Sequence, residues 1–337
     1  MPHATRLPMS ETPYDSLTPD SILAAVEHVG FRCDGHLLAL NSYENRVYQI
    51  GLEDGTKVVA KFYRPGRFTR EAILEEHAFV RELADDELPC VAPLAAANGA
   101  TLHEHAEHRF ALFPRMGGHA PDLERGDDLV VLGRTLARIH QVGHRAAFVH
   151  RPRISVERLG HESRTLLIQS EHVPQELAAA YASITGHLLD RLANVDLGAG
   201  LRIHGDCHPG NILWRDEHPH FVDFDDCATG PAVQDLWMLL PGGERDEKNR
   251  LLTKLLEGYE TFVEFDDAEL KLIEPLRTLR IMHHAAWIAR RWDDPAFPRA
   301  FPAFTTLRYW SDHVLHLKEQ LAALDEPPLT PLPFRSS

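Results

Sequence analysis

An α+β fold in two lobes, strand-rich at the N-terminus and mainly helical after it, is predicted by three features of this 337-residue sequence. Residues 47–62 alternate apolar and polar side chains about an Asp54-Gly55 turn signal, the pattern of a β-hairpin. From Asp127 onward, apolar residues recur at helical spacing instead. One stretch interrupts the helical half. Between Leu201 and Asp226, short apolar runs flank polar turns, so a strand-turn-strand island is expected there.

In chain order, residues 1–18 read as poorly ordered. A short helix is expected over Asp20–Val29, capped by Asp20 or Ser21, with Ile22, Leu23 and Val26 on one face. The hairpin comes next, with Val47, Tyr48 and Ile50 in one strand and Val58, Val59 and Phe62 in the other. After it a helix is expected over Glu71–Leu83, then strands in PCVAPLAA and HRFALFPRM. HEHAEH (His103–His108), with Asn98-Gly99 before it and FALF after it, reads as a hairpin tip rather than a metal site. In the helical half, Leu129, Leu132, Leu136 and Ile139 mark one helix, and others fit Gln175–Leu192, Glu244–Phe265 and Asp267–Trp292. The expected division is an N-terminal strand-rich lobe at 1–113, a hinge at 114–118, a mainly helical C-terminal lobe at 119–325 and a Pro-rich tail at 326–337.

Composition narrows the function classes. Hydrophobic residues make up 44% and charged ones 25%, as in ordinary globular proteins. The net charge of -15 argues against nucleic acid as a partner, because a phosphate backbone needs basic surface. No apolar run is long enough for a membrane span, and the N-terminus lacks a signal-peptide pattern. Four scattered cysteines without CxxC spacing fit a reducing cytoplasm.

The island carries the chemistry. In RIHGDCHPGNILW, His204, Asp206, Cys207 and His208 first suggest soft-metal ligands or a Cys-His nucleophile. Cys207 lacks a recognisable His-Asn partner, and Asp206 beside it disfavours a thiolate. Both histidines read as structural. Asp206 and Asn211 instead form a D-x4-N pair on a turn, with Asp223 at the end of the next strand. That set suits phosphoryl transfer: Asp206 orients an acceptor hydroxyl and takes its proton, while Asn211 and Asp223 hold Mg²⁺ through hard oxygens. Asp225 and Asp226 either assist there or belong to a solvated loop. Lys61 in VVAKFY would meet the phosphates of ATP, supported by Glu75 or Glu76 on the next helix, with Glu76 favoured. Ser42 and nearby N–H groups in LNSYENRVY would cover the phosphates, and the backbone of FPRMGG would read the adenine edge. Trp287, Arg290, Arg291 and Trp292 either line an acceptor site or serve packing and surface ion pairs.

IHGDCHPGNILW, FVDFDD and GPAVQDLWMLL resemble the motifs of the aminoglycoside-phosphotransferase-like kinases, a protein-kinase-like superfamily that includes choline and homoserine kinases. More narrowly, LNSYENRVYQI, KFYRPGR, EEHAFVRELADDELPC, HRPRI and RRWDDPAFPRAFP are similar to the bacterial stress response kinase A family, over residues 20–330. The resemblance implies a cytoplasmic, monomeric, Mg²⁺- and ATP-dependent serine/threonine protein kinase of a stress and survival response. It would phosphorylate protein Ser or Thr hydroxyls, its own among them. Carried over by motif, Asp206 is the proton acceptor, Asn211 and Asp223 are Mg²⁺ ligands, and Ser42 belongs to the nucleotide loop. Asp235 would hold the backbone of the catalytic loop.

The sequence departs from ordinary protein kinases in three places. It has no GxGxxG, it carries His204-Gly205-Asp206 where His-Arg-Asp is usual, and only eleven residues separate Asp223 from Asp235. So short a segment leaves little room for a peptide-docking platform. Read from residues alone it favours a small hydroxyl compound such as an amino alcohol, homoserine, a sugar or an aminoglycoside. The resemblance favours protein, and protein is the expectation carried forward.

Overall fold

The computed structural model describes residues 13–333. Its elements run α1 (Pro19–His28), β1 (Cys33–Ala39), β2 (Arg46–Leu52), β3 (Lys57–Phe62), α2 (Arg70–Asp85), β4 (His103–His105), β5 (His108–Pro114), α3 (Gly126–His144), α4 (Glu162–Gln169) and α5 (Gln175–Leu192). Then come β6 (Leu201–Ile203), β7 (Ile212–Arg215), β8 (His218–Phe221), β9 (Ala228–Gly230), α6 (Val233–Trp237), α7 (Arg245–Tyr259), α8 (Ile273–Arg290), α9 (Ala296–Ala300) and α10 (Leu307–Ala323). They sort into two compact units. The first takes residues 13–68, 94–115 and 290–302, and the second takes 69–93, 116–289 and 303–333.

The first unit is a five-stranded sheet in the order β1-β2-β3-β5-β4, covered by α1. The β2–β3 hairpin forms as its alternation predicts, with Val47 opposite Lys61 and Ile50 opposite Val58. Its turn is built by Asp54, whose carboxylate accepts the Thr56 N–H at 2.9 Å, and by Gly55 at φ +81°. Ile22, Ala25 and Val26 of α1 pack on Ile50, Val58, Ala60, Phe62, Phe110 and Leu112. Helix α1 is capped by Thr18, not by Asp20 or Ser21. The Thr18 Oγ1 accepts the Ser21 N–H at 3.2 Å, and Pro19 opens the first turn, where a missing N–H costs nothing. Tyr14 is buried in this core, so residues 13–18 are ordered, against expectation; residues 1–12 of that stretch lie outside the described residues.

In the second unit, α3 and α7 pack against each other and β6 lies along α3. Phe79, Val80 and Leu83 of α2 join the same core as Leu129, Leu132 and Leu136. This helix, expected within the strand-rich lobe, is therefore sorted by its apolar face into the helical unit. The island is two pieces, a β7–β8 hairpin and a separate β6–β9 ladder. PCVAPLAA is not a strand; apart from one bridge at Cys90, its prolines leave too few N–H donors for a ladder. The helix expected over Asp267–Trp292 is broken: a 3₁₀ turn over Asp267–Leu272 precedes α8. The Pro-rich end is docked rather than loose as far as it is described. Arg245 donates to the Pro327 carbonyl at 2.7 Å, the Thr330 N–H reaches Asn249 at 2.9 Å, and the Leu332 N–H reaches Thr253 at 2.8 Å. Residues 334–337 lie outside the described residues. No helix among the described residues is long and apolar enough to cross a membrane.

Candidate active site

Strand β6 is buried along its length and delivers its chain into the loop His204–Asn211. The start of that loop is fixed through its backbone. Asp235, fully buried at the start of α6, accepts the N–H groups of both His204 and Gly205 at 2.8 Å. Its own carboxylate faces His140 Nε2 at 3.1 Å, and His140 Nδ1 meets the Tyr259 hydroxyl at 2.9 Å. Gln234 adds a bond to the Gly205 carbonyl at 3.1 Å. Gly205 is required here. It sits at φ +83°, and a Cβ would lie 2.2 Å from the Asp226 carbonyl. His204 spends its Nε2 proton on the Val222 carbonyl at 2.9 Å, which ties the loop to the end of β8. The Cys207 thiol is buried, and burial first, then the Asp235 and Asp206 charges, raise its pKa far above the ordinary thiol range. Neither His204 nor Cys207 is thus disposed toward a soft metal or nucleophilic chemistry.

Asn211 and Asp223 are brought together by the hairpin. Ile212 pairs with Phe221, and one step outward the Val222 N–H donates to the Asn211 carbonyl at 3.0 Å. Asn211 donates its amide N–H to the Asp206 carbonyl oxygen at 3.0 Å, leaving its amide oxygen as the other polar group of the side chain. Asp223 adopts left-handed backbone angles, φ 58° and ψ 59°. A non-glycine residue held there costs about 1 kcal/mol or more, and such strain gathers at functional positions. An amide oxygen and a carboxylate are both hard donors, so this pair fits Mg²⁺ better than zinc.

The segment after Asp223 is clamped by Arg151. This buried guanidinium donates to the carbonyls of Cys227, at 3.0 Å, and Asp225, and lies 3.7 Å from the carboxylate of Glu76 on α2. Burial opposes the charge of Arg151, but the surrounding thiol and carboxylates win and hold its pKa above the ordinary value. The neighbouring Glu75 is committed elsewhere. Its carboxylate accepts the N–H groups of Val149 at 2.6 Å, His150 at 2.8 Å and Arg151 at 2.7 Å. Of the two candidate glutamates, Glu76 is thus the buried one that faces a cation, and Glu75 is a loop anchor.

Asp206 itself is partly exposed. One carboxylate oxygen is 2.6 Å from Arg280 of α8, and the other is 3.5 Å from His208 Nε2. Burial would raise its pKa, but His208 and Arg280 outweigh that and keep it below the usual carboxylate range. It stands as a fixed carboxylate, suited to orienting a hydroxyl more than to pulling hard on its proton.

Lys61 and Ser42 belong to the first unit. Lys61 is nearly buried on β3, its ammonium 5.4 Å from the Tyr63 ring centre. Ser42 donates to the Asn45 carbonyl at 3.0 Å, bracing the loop between β1 and β2. That loop is further held by Glu44, paired with Arg64 at 2.9 Å and Arg291 at 2.5 Å. Arg291 therefore serves an ion pair of its own unit. Sequence reasoning missed Arg151 and Arg280. HRPRI stands out only as a shared motif, and Arg280 looks like one more charge on a helix.

The family model of the phosphotransferase enzyme family matches residues 36–273. The chain is 46% identical over 324 residues to stress response kinase A of Escherichia coli K12, covering 95% of this chain and 98% of that protein. It is 44% identical, with the same coverage, to the serine/threonine protein kinase RdoA of Salmonella typhimurium LT2. Among solved structures, an amicoumacin kinase in complex with AMP-PNP, Ca²⁺ and Ami matches with a TM-score of 0.70 at 20% identity, over 94% of this chain and 96% of that one. At that identity the likeness speaks for the kinase-like fold alone. The chain belongs to the phosphotransferase enzyme family and, within it, to the stress response kinase A group.

Proposed function

We propose that this protein is an ATP- and Mg²⁺-dependent serine/threonine protein kinase acting in the cytoplasm of a bacterium under stress, as a monomer, on other proteins and on itself. The observation that carries this reading is the loop that places Asp206 and Asn211 five residues apart and, through the hairpin, sets Asn211 beside Asp223. Asp206 orients the acceptor hydroxyl. As its oxygen bonds to the γ-phosphorus, the bond to the β–γ bridging oxygen breaks and ADP leaves; the hydroxyl proton passes to the Asp206 carboxylate. Mg²⁺ held by Asn211 and Asp223 would neutralise charge on the phosphates. Lys61, with Glu76 as its counter-charge, is assigned to the phosphates, Ser42 to the loop covering them, and the backbone of residues 114–118 to the adenine edge. Catalysis is then chiefly positioning, which fits a loop fixed through its backbone.

The name of one curated relative, serine/threonine protein kinase RdoA, supports a protein acceptor. A small hydroxyl compound is the second reading. It is favoured by the segment between Asp223 and Asp235, which is taken up by a 3₁₀ turn, β9 and the start of α6 and offers no peptide platform. Incubation with γ-labelled ATP and Mg²⁺, against protein acceptors and a panel of small hydroxyl compounds, separates the two. Asp206→Ala is expected to lower transfer by about a thousandfold or more while nucleotide affinity stays within a few-fold. Near-normal phosphorylation by that variant would refute the assignment of Asp206.

A further inference from the structure

We infer that the acceptor carries an anionic group, a carboxylate or phosphate, beside the hydroxyl it offers, and that Arg280 is the residue that selects it. The inference rests on the reading of Asp206 as the acceptor-orienting carboxylate. Any hydroxyl that reaches Asp206 finds both of its oxygens engaged: by the Arg280 guanidinium at 2.6 Å on one side and by His208 Nε2 at 3.5 Å on the other. Arg280 is not buried by its partner, for 40% of its side chain is exposed. Its contact with Asp206 is made through Nη1, while a guanidinium has five N–H donors in a rigid fork. Such a fork can hold Asp206 with one arm and a second anion with the other, and neither contact has to break for the other to form.

On its face of α8, Arg280 is the arginine with an exposed guanidinium beside Asp206. Arg277, Arg280, His284 and Trp287 recur at helical spacing and share one face. Arg277 is already engaged, paired with Glu274 at 3.2 Å and lying over the Trp237 ring at 4.9 Å. His284 stacks against Trp287 with ring centres 5.5 Å apart, and burial first, then the Arg280 charge, lowers its pKa, so it adds no competing cation. A cationic acceptor, such as an amino alcohol or an aminoglycoside, would approach Asp206 only to find that carboxylate already paired and an arginine beside it. An acceptor with a carboxylate or phosphate next to its hydroxyl gains a partner at the same place. The side chains around Asp206 are therefore set against the cationic small molecules and toward acidic acceptors. An acidic peptide segment and a small hydroxy acid present the same chemistry.

The test compares kcat/KM for phosphoryl transfer from γ-labelled ATP to serine peptides that differ only in flanking Glu, Gln or Lys, with glycerate and choline as small acceptors. The full chain is used with Mg²⁺ throughout. An acidic flank is expected to exceed a basic one by about tenfold, the worth of one charge-assisted pair in a half-exposed site. Arg280→Gln should bring the ratio to about one, and Arg280→Glu should invert it. Arg308→Gln, which removes an exposed arginine of α10, should keep the wild-type ratio. The ratio is read on the folded fraction, so a loss of stability in a variant does not mimic the effect. Glycerate favoured over every peptide upholds the inference and moves the acceptor to a small hydroxy acid. A preference for the Lys peptide or choline overturns it, as does an Arg280→Gln variant that keeps the wild-type preference. Turnover of Mg-ATP with water but with no acidic acceptor overturns it and leaves phosphotransfer standing. No turnover with any acceptor or with water removes both.

Discussion

Two loops of this protein, each given a part in the proposed phosphoryl transfer, are held by different physics. In the second unit, the turn after β6 is fixed through its backbone: two N–H groups converge on the Asp235 carboxylate at 2.8 Å, and a buried histidine backs that carboxylate. In the first unit, the loop bearing Ser42 is held through side chains. Glu44 pairs with Arg64 and Arg291, and Asp294 pairs with Arg46 at 2.7 Å and with Arg64. Bonds from dipoles to one buried anion are directional and leave no substitute when that anion goes. A lattice of arginines and carboxylates has spare members, so one loss is partly absorbed. In the proposed function, the loop that places the acceptor-orienting carboxylate is the one held by the first device, and the loop assigned to the phosphates is the one held by the second.

The largest expected effect comes from removing the anion of the first device. Asp235→Ala leaves the His204 and Gly205 N–H groups and His140 without their acceptor. A loss of about 3–5 kcal/mol is expected, as for other buried charged groups deprived of a partner. Urea unfolding measures it. The transfer rate of the folded fraction should also fall about a hundredfold, because a misplaced Asp206 no longer orients the hydroxyl. A variant that loses under about 1 kcal/mol would mean the loop is redundantly held, and the contrast between the two devices would collapse.

Asp294 gives the matching, smaller case. Burial raises its pKa, but the Ala296 N–H, Arg64 and Arg46 outweigh it and the carboxyl titrates below its ordinary value. A folded pKa below the unfolded one means that the stabilisation is present above about pH 4 and is lost as pH falls through the folded value. Asp294→Asn is expected to cost about 1–3 kcal/mol at neutral pH. The gap between variant and wild type should close as the pH is lowered beneath about 4 in a urea series. A gap that stays constant down to about pH 2 would show that charge is not what Asp294 contributes.

How much of this was legible in the sequence depends on the range of each interaction. The loop and hairpin that bring Asp206, Asn211 and Asp223 together were legible because turn residues and flanking apolar runs are local signals, and the hairpin needs only a short closure. The β2–β3 hairpin was legible for the same reason. Strand β1 was not, since its residues are mostly exposed and carry no alternation. The choice between Glu75 and Glu76 lay in partners more than seventy positions away, at residues 149–151. Arg280 meets Asp206 across 74 positions, and Asp294 returns to pair with Arg46 across 248. Charges on amphipathic helices all look alike until the fold chooses which of them face one another.

The smallest expected effect is also the one that tests the contrast most directly. A double-mutant cycle on Arg46 and Asp294 isolates one ion pair of the second device, since each single variant removes the same contact. Arg46 keeps 19% of its side chain exposed and Asp294 only 2%, so ions can approach one end of the pair. A coupling of about 1–2 kcal/mol is expected in dilute buffer, as for charge-assisted hydrogen bonds in general. Raising salt toward about 1 M shortens the screening length to about 3 Å and should take several tenths of a kcal/mol from that coupling. The same cycle on His140 and Asp235, both wholly buried, should show no such loss. If the buried pair proved as salt-sensitive as the partly open one, solvent would have to reach Asp235, and the β6 turn would be held no more rigidly than the loop around Ser42.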